Sequence, residues 1–486
     1  MAEPVIIQGG MGVGVSGWPL ARAVSRLGQL GVVSGTVLDV VLARRLQLGD
    51  AGGHLRRALA QFPSPLAAQR ILKRYFIEGG KPANRPFRAV PVFTASPTMA
   101  LQELAVVSGF VEVWLAKEGH TGVVGINFLE KIQLPLLPTL YGALLAGVDY
   151  VLVGAGIPRE IPGVLDTLAR HEPVSIRLHV EGARAEDEYR LHFDPRLMLS
   201  STRASLRRPK FLAIIASSTL ALTLAKKATG RVDGFIIEGP TAGGHNAPPR
   251  GEPQLNVRGE PVYGEKDTVN LEKIRALGIP FWLAGSYGHA EQLRAARAAG
   301  AAGVQVGTAF ALCEESGMAP ELKAAVLARV QRGDAEVFTD PRASASGFPF
   351  KVVALDDTLS ELEVYAGRPR LCDLGYLRHV YKRPDGSLGY RCPGEPVELY
   401  TKKGGAPEET IGRKCLCNGL TATIDLAQHQ RSGYLERPLI TAGDDVCTLK
   451  RFLRPGRCSY TARDVICDLL GTATDEPAFA PHDGVS

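Results

Sequence analysis

Three short apolar runs in the second half of the chain end in glycine: Asp233-Gly-Phe-Ile-Ile-Glu238-Gly-Pro-Thr-Ala-Gly243-Gly244-His245, Phe281-Trp-Leu-Ala-Gly285-Ser286-Tyr-Gly288 and Gly303-Val-Gln305-Val306-Gly307-Thr308. Glycine at a strand end lets backbone N–H groups come close to an anionic ligand, most effectively where a helix begins. Gly285 and the Gly307-Thr308 turn each precede a helical pattern and form a candidate phosphate cradle, which Ser286, Tyr287 and Gly288 extend. His245 follows directly on a glycine pair with little side-chain cover, and imidazole is the side chain best suited to take or give a proton at neutral pH. An anionic cofactor held by backbone and one proton-transferring histidine are the chemistry these residues suggest.

Such residues need a scaffold that repeats strand ends on one rim. Short β-branched runs alternate with helical patterns, which predicts a parallel sheet with crossover helices. Eight strands are expected near 5–8, 31–34, 123–127, 149–154, 211–215, 233–238, 281–284 and 303–306, with helices over 217–228 and 289–299 and Asn270 capping 271–277. The fold class is α/β: a (β/α)8 TIM barrel over 1–320, with insertions at about 50–120, 172–209 and 246–267. A helical and loop connection (321–370), a Cys-rich C-terminal module (371–472) and a disordered tail (473–486) follow. The first insertion contains a helical pattern at 66–76 and apolar runs at 89–94 and 111–115 that read as strands; the second alternates like a two-stranded ribbon. The third, rich in Pro and Gly, leaves the rim after His245 and is the expected lid.

Ala242-Gly-Gly-His245, Leu283-Ala-Gly285 and Gln305-Val-Gly-Thr308, in that order, resemble the nitronate monooxygenase family, formerly called 2-nitropropane dioxygenases, which are FMN-dependent (β/α)8 barrels. Ile7-Gln-Gly-Gly-Met11 and Gly125-Ile-Asn127-Phe add to a resemblance spanning about residues 4–350. A related branch comprises the FMN enoyl reductases that serve polyketide and polyunsaturated fatty-acid synthases. The resemblance implies FMN as cofactor and His245 as the base beside the flavin. It implies cofactor-binding roles for Gly9, Gly10, Met11, Asn127, Glu238, Gly243, Gly244, Gly285, Ser286, Gln305, Val306, Gly307 and Thr308. Relatives commonly carry Gln where Glu238 stands, another Gly at Ser286, and Glu at Thr241. The implied reaction is oxidation of a nitronate or nitroalkane by O2 to a carbonyl compound and nitrite.

Two alternatives stay open. An FMN- and NAD(P)H-dependent enoyl-thioester reductase, with an acyl-carrier protein as partner, would account for the long insertions and the extra tail. A flavoprotein scaffold would use the C-terminal module for docking or assembly. Gly9-Gly-Met-Gly12-Val-Gly14 follows a strand but lacks the dinucleotide spacing and the acidic residue on the next strand. Lys117, Glu118 and His120 read as a solvated turn.

Seven of the eight cysteines lie beyond residue 370. Without a secretion signal, a disulfide framework is disfavoured. Cys372-x19-Cys392-x22-Cys415-x-Cys417 brings four thiols from three turns that could hold Zn2+ or an iron–sulfur cluster, the other reading being small buried hydrophobes. With 45% apolar and 22% charged residues the composition is that of a globular protein. The +6 net charge is spread out apart from a run at 203–210, read as a solvated connection or a patch for an acidic carrier, and no basic stripe with interleaved aromatics indicates nucleic acid. No apolar run reaches the ~20 residues that cross a bilayer, and no targeting segment opens the chain. The expected setting is cytoplasmic, with a small-molecule substrate and O2 as partners, compatible with a homo-oligomer.

Overall fold

A computed structural model of the chain describes residues 3–184, 186–199, 204–454 and 456–472; the predicted tail at 473–486 and Arg203 lie outside them. Eight strands form one sheet: β1 (Ile6–Gln8), β2 (Gly31–Ser34), β3 (Val124–Leu129), β4 (Tyr150–Gly154), β5 (Lys210–Ile215), β6 (Gly234–Glu238), β7 (Phe281–Ala284) and β8 (Gly303–Val306). They match the eight expected positions. Every neighbouring pair is parallel, from β2 through to β8, and β8 then pairs with β1. A parallel bridge between Ile7 and Leu30, with Gln8 N–H donating to the Leu30 carbonyl at 2.9 Å, joins β1 to the start of β2 and closes the ring. The protein is a (β/α)8 barrel.

The strands are apolar along their length because both faces are covered. Ile7, Leu30, Val32, Tyr150, Leu152, Leu212, Ile236 and Trp282 fill the barrel's inside. The other face packs on the helices, among them Ser218–Lys227, Ala290–Ala298 and Leu271–Arg275, which Asn270 caps by accepting from Lys273 N–H at 3.0 Å. With the bottom filled by side chains, only the rim at the strand C-termini is left to bind ligands.

The first insertion is helical, not partly stranded. Residues 89–94 form no strand, and 111–115 lie within a helix over Met99–Lys117. Thr98 caps that helix, its Oγ1 accepting from Leu101 N–H at 3.4 Å, and burial on nearly all sides hides the amphipathic period that would have announced it. The helix has the length and hydropathy of a membrane span, yet 72% of its apolar window is buried inside the protein. In the second insertion, Val174–Arg177 and Arg190–Phe193 form the expected antiparallel ribbon. Within the basic run, Arg207 pairs with Asp149, Arg208 with Asp166 and Asp233, and Lys210 with Glu3, so these charges clamp strand ends together.

Beyond residue 320 the chain wraps back onto the barrel. After a helix over Pro320–Arg332, Val337–Asp340 pairs antiparallel with Phe350–Val353, and His379–Lys382 forms a hairpin with Leu388–Arg391. Val446, Leu449, Tyr460 and Val465 join the barrel's own core, and Tyr460 Oη donates to the Ala309 carbonyl at 2.8 Å. A buried bidentate pair, Arg368 to Glu436 at 2.7 and 2.8 Å, holds the segment's own loops together.

Candidate active site

The rim opens into a cavity of about 500 Å3. All fourteen residues expected at the site, His245 and the thirteen expected cofactor contacts, line it. They come from five regions of sequence because strand ends point to the same rim.

One arc is made of β1, β7 and β8 and the turns after them. Gly10 lies so close to Asn127 on β3 that a Cβ would sit 2.1 Å from Asn127 Oδ1, so the segment after β1 takes this path only without a side chain. Gly285 (φ 95°) and Ser286 (φ 58°) turn the chain left-handed before the nine-residue helix Ala290–Ala298. The Tyr287 and Gly288 amides donate to no protein acceptor among the described residues. Gln305 Oε1 is buried without a partner. Free amides in a turn ahead of a helix suit a phosphate, and an orphaned buried acceptor suits a ligand N–H. The residues present therefore fit FMN, with the 285–288 turn toward its phosphate and Gln305, Asn127 and Glu238 toward its ring and ribityl groups. Asp445 also lines this arc, and burial pushes its carboxyl above the usual range.

His245 lies in the loop after β6, the strand paired with β7. Its Nε2 lies 2.7 Å from Ser344 Oγ, and its ring meets Phe350 edge-on at 4.9 Å between centroids. Ser344 Oγ in turn lies 2.7 Å from Ser346 Oγ, and Lys131 Nζ donates to the Ser346 carbonyl at 3.2 Å. Burial, helped by the Lys131 charge, pushes His245 down to about 4, so the ring is neutral at physiological pH. Burial likewise pushes the Glu238 carboxyl up to about 7.

Sequence reasoning missed the roof of this site. Tyr376, Leu377, Leu416, Cys417, Leu420, Leu439 and residues 441–443 and 445 all line the cavity. The turn at 441–445 docks on the glycine loop before His245: Gly244 N–H donates to Thr441 Oγ1 at 2.8 Å, Asp444 N–H to the Thr241 carbonyl at 3.0 Å, and Gly443 N–H to Thr308 Oγ1 at 2.9 Å. Contact is backbone to backbone, since a Cβ on Gly243 would lie 2.8 Å from the Ala442 carbonyl carbon and one on Gly443 2.8 Å from the Thr241 oxygen. The Thr441-Ala-Gly-Asp-Asp445 run, with a glycine between small and acidic residues, was the available signal. Of the expected lid at 246–267, only Ala247, Pro248 and Arg250 reach the cavity.

The four cysteines do gather. Cys372, Cys392, Cys415 and Cys417 line a second cavity of only about 10 Å3, beside the first. The metal or cluster expected there is corrected: among the described residues no group of three or more His, Cys, Asp or Glu side chains is placed to hold a metal ion. Contact with Cys392 pushes the Cys372 thiol up, and burial pushes up Cys415, to about 11, and Cys417, so these sulfurs stay protonated. Cys392 Sγ accepts from Gly394 N–H at 3.4 Å and Cys415 Sγ from Asn418 Nδ2 at 3.6 Å, as small buried hydrophobes with weak polar contacts do.

Residues 201–344 match the family model described as nitronate monooxygenase. Over that segment the chain is similar to the nitronate monooxygenase family. That family is one of FMN-dependent flavoproteins, and the domain is that of an oxidoreductase. Similar solved structures include FabK from Thermotoga maritima, at 17% identity over 97% of this chain and 92% of that one with a TM-score of 0.46. Nitroalkane oxidase from Streptomyces ansochromogenes follows at 16% identity, 96% and 95% coverage and a TM-score of 0.41. The enoyl reductase domain of MlnA from the macrolactin biosynthesis cluster of Bacillus amyloliquefaciens stands at 10%, 97%, 94% and 0.45. No curated protein matches the chain.

Proposed function

We propose that this protein is an FMN-dependent oxidase of a small nitronate or nitroalkane, which it converts with O2 to a carbonyl compound and nitrite. His245 carries the reading: a neutral imidazole facing the cavity, held by Ser344 Oγ at 2.7 Å and pushed down to about 4. At neutral pH the ring is therefore unprotonated, the form that can accept a proton, though a value of about 4 makes it a weaker base than a free imidazole. With Nε2–H directed to Ser344, Nδ1 is left to take the α-proton of a nitroalkane, and the imidazolium so formed is stabilised by the serine. FMN, when bound, supplies the electron-accepting ring. Glu238, Gln305 and Asn127 orient it, the 285–288 turn anchors its phosphate, and the roof over 416–443 excludes water. Anaerobic mixing with a nitronate should bleach the bound flavin without any nicotinamide, and O2 should then yield nitrite. Failure of both steps refutes the reading.

One observation favours a second reading, NAD(P)H-dependent reduction of an enoyl thioester. Leu377, Leu416, Leu420 and Leu439 make the roof apolar, which suits an acyl chain better than a small nitro compound. Bleaching by NADPH followed by reoxidation with an enoyl thioester, and silence toward nitronates, would select it.

A further inference from the structure

Resting on the flavin reading above, which both reactions share, we propose that Glu238 grips the occupant of the cavity as a neutral carboxylic acid, so that binding above neutral pH takes up a proton. The geometry comes from the barrel's register. Glu238 on β6 pairs with Ala284 on β7, and Ala284 pairs with Gln305 on β8. Residues paired across parallel strands face the same side, and all three line the main cavity. The small Ala284 leaves a gap between two longer polar side chains.

Both polar groups lack protein partners. Gln305 Oε1 is buried with none, and the Glu238 carboxyl makes no hydrogen bond or ion pair among the described residues. Such groups at the floor of an otherwise well-bonded site are arranged for a ligand. An ionised Glu238 could only accept hydrogen bonds, and beside the Gln305 Oε1 acceptor the row would then have the Gln305 amide N–H as its one kind of donor. Protonated, it offers one O–H donor next to the Gln305 acceptor. That pair complements a cyclic amide or imide edge, a C=O adjacent to an N–H, which the flavin ring carries.

Nothing nearby keeps the carboxyl charged. The other titratable groups lining the cavity are His245, Arg250, Tyr287, Tyr376, Cys417 and Asp445, and none is paired with Glu238. The neighbouring strands contribute Ile214, Ile215 and Ala284. Burial therefore acts unopposed and lifts the group to about 7.

The test is FMN binding by the flavin-stripped full chain, followed by quenching of flavin fluorescence from pH 5.5 to 9. In the wild-type protein Kd should be flat below about pH 7 and then rise toward roughly tenfold per pH unit. Glu238→Gln keeps a donor of the same size and should bind with a pH-independent Kd, apart from changes in free FMN that both proteins share. Glu238→Ala should bind more weakly at every pH, also without the alkaline rise. A wild-type Kd that stays level across the range, or a Glu238→Gln protein that follows the wild-type curve, overturns the proposal. If neither protein binds FMN at pH 6 while circular dichroism shows both folded, the flavin reading itself fails and this one with it.

Discussion

The floor and the roof of the main cavity come from different parts of the chain and differ in chemistry. The floor, from the barrel strands, is glycine, amide and carboxyl: Gly9, Gly10, Asn127, Glu238, Gln305 and the turns after β7 and β8. The roof, from beyond residue 370, brings four leucines together with Tyr376, Cys417 and the turn at 441–445. A barrel rim alone would leave His245 in water, where an imidazole titrates near 6.5. Covered by the segment carrying Ser344 and by the leucine roof, it is pushed down to about 4. On the proposed reading, reaction chemistry belongs to the floor, while the roof sets the medium in which that chemistry would run.

The sharpest way to break the comparison is to remove the roof. Deleting residues from 371 onward should abolish turnover and flavin retention together, because the segment shares the barrel's core through Val446, Tyr460 and Val465. Retained activity with altered oligomerisation would instead support a docking module. On the floor, His245→Ala should lower turnover by about 10²–10⁴-fold while FMN stays bound, measured by steady-state kinetics and the visible spectrum. A neutral nitroalkane should suffer more than a preformed nitronate, which has already lost its proton.

Arg368→Ala tests how the roof is held. It leaves Glu436, fully buried, without its cation, and loss of one partner of a buried pair costs about 3–5 kcal/mol, read as a lower denaturation midpoint. Ser344→Ala should act at the boundary of floor and roof. Losing one hydrogen bond of about 0.5–1.5 kcal/mol predicts up to roughly tenfold slower turnover with the fold intact. The smallest effect is expected from Lys131→Met. His245 works as the neutral ring, so activity is lost as pH falls through its value of about 4. Removing the nearby positive charge should move that acid limb upward, and an unmoved limb in the kcat/KM profile would disconnect Lys131 from the site.

The barrel was legible because its signals are local. Each strand is a short apolar run, six of the eight end in or are followed by glycine, and a parallel barrel repeats that run eight times. The residues around the cavity floor were legible for the same reason, since strand C-termini share one rim whatever lies between them. The helix Met99–Lys117 was partly misread, because burial on nearly all sides erases the period that separates helix from strand.

By itself, then, the sequence determined the barrel, the rim that lines its cavity and the histidine on it, all properties of contiguous segments. It also marked the cysteines as a group, but spacing along the chain does not say whether four sulfurs surround a point. Only the tertiary structure decided that they line one small pocket, that a distant Thr441-Ala-Gly-Asp-Asp445 turn closes on the glycine loop, and that Ser344 meets His245 across 99 residues. Those outcomes depend on long-range packing and desolvation, which no local pattern encodes.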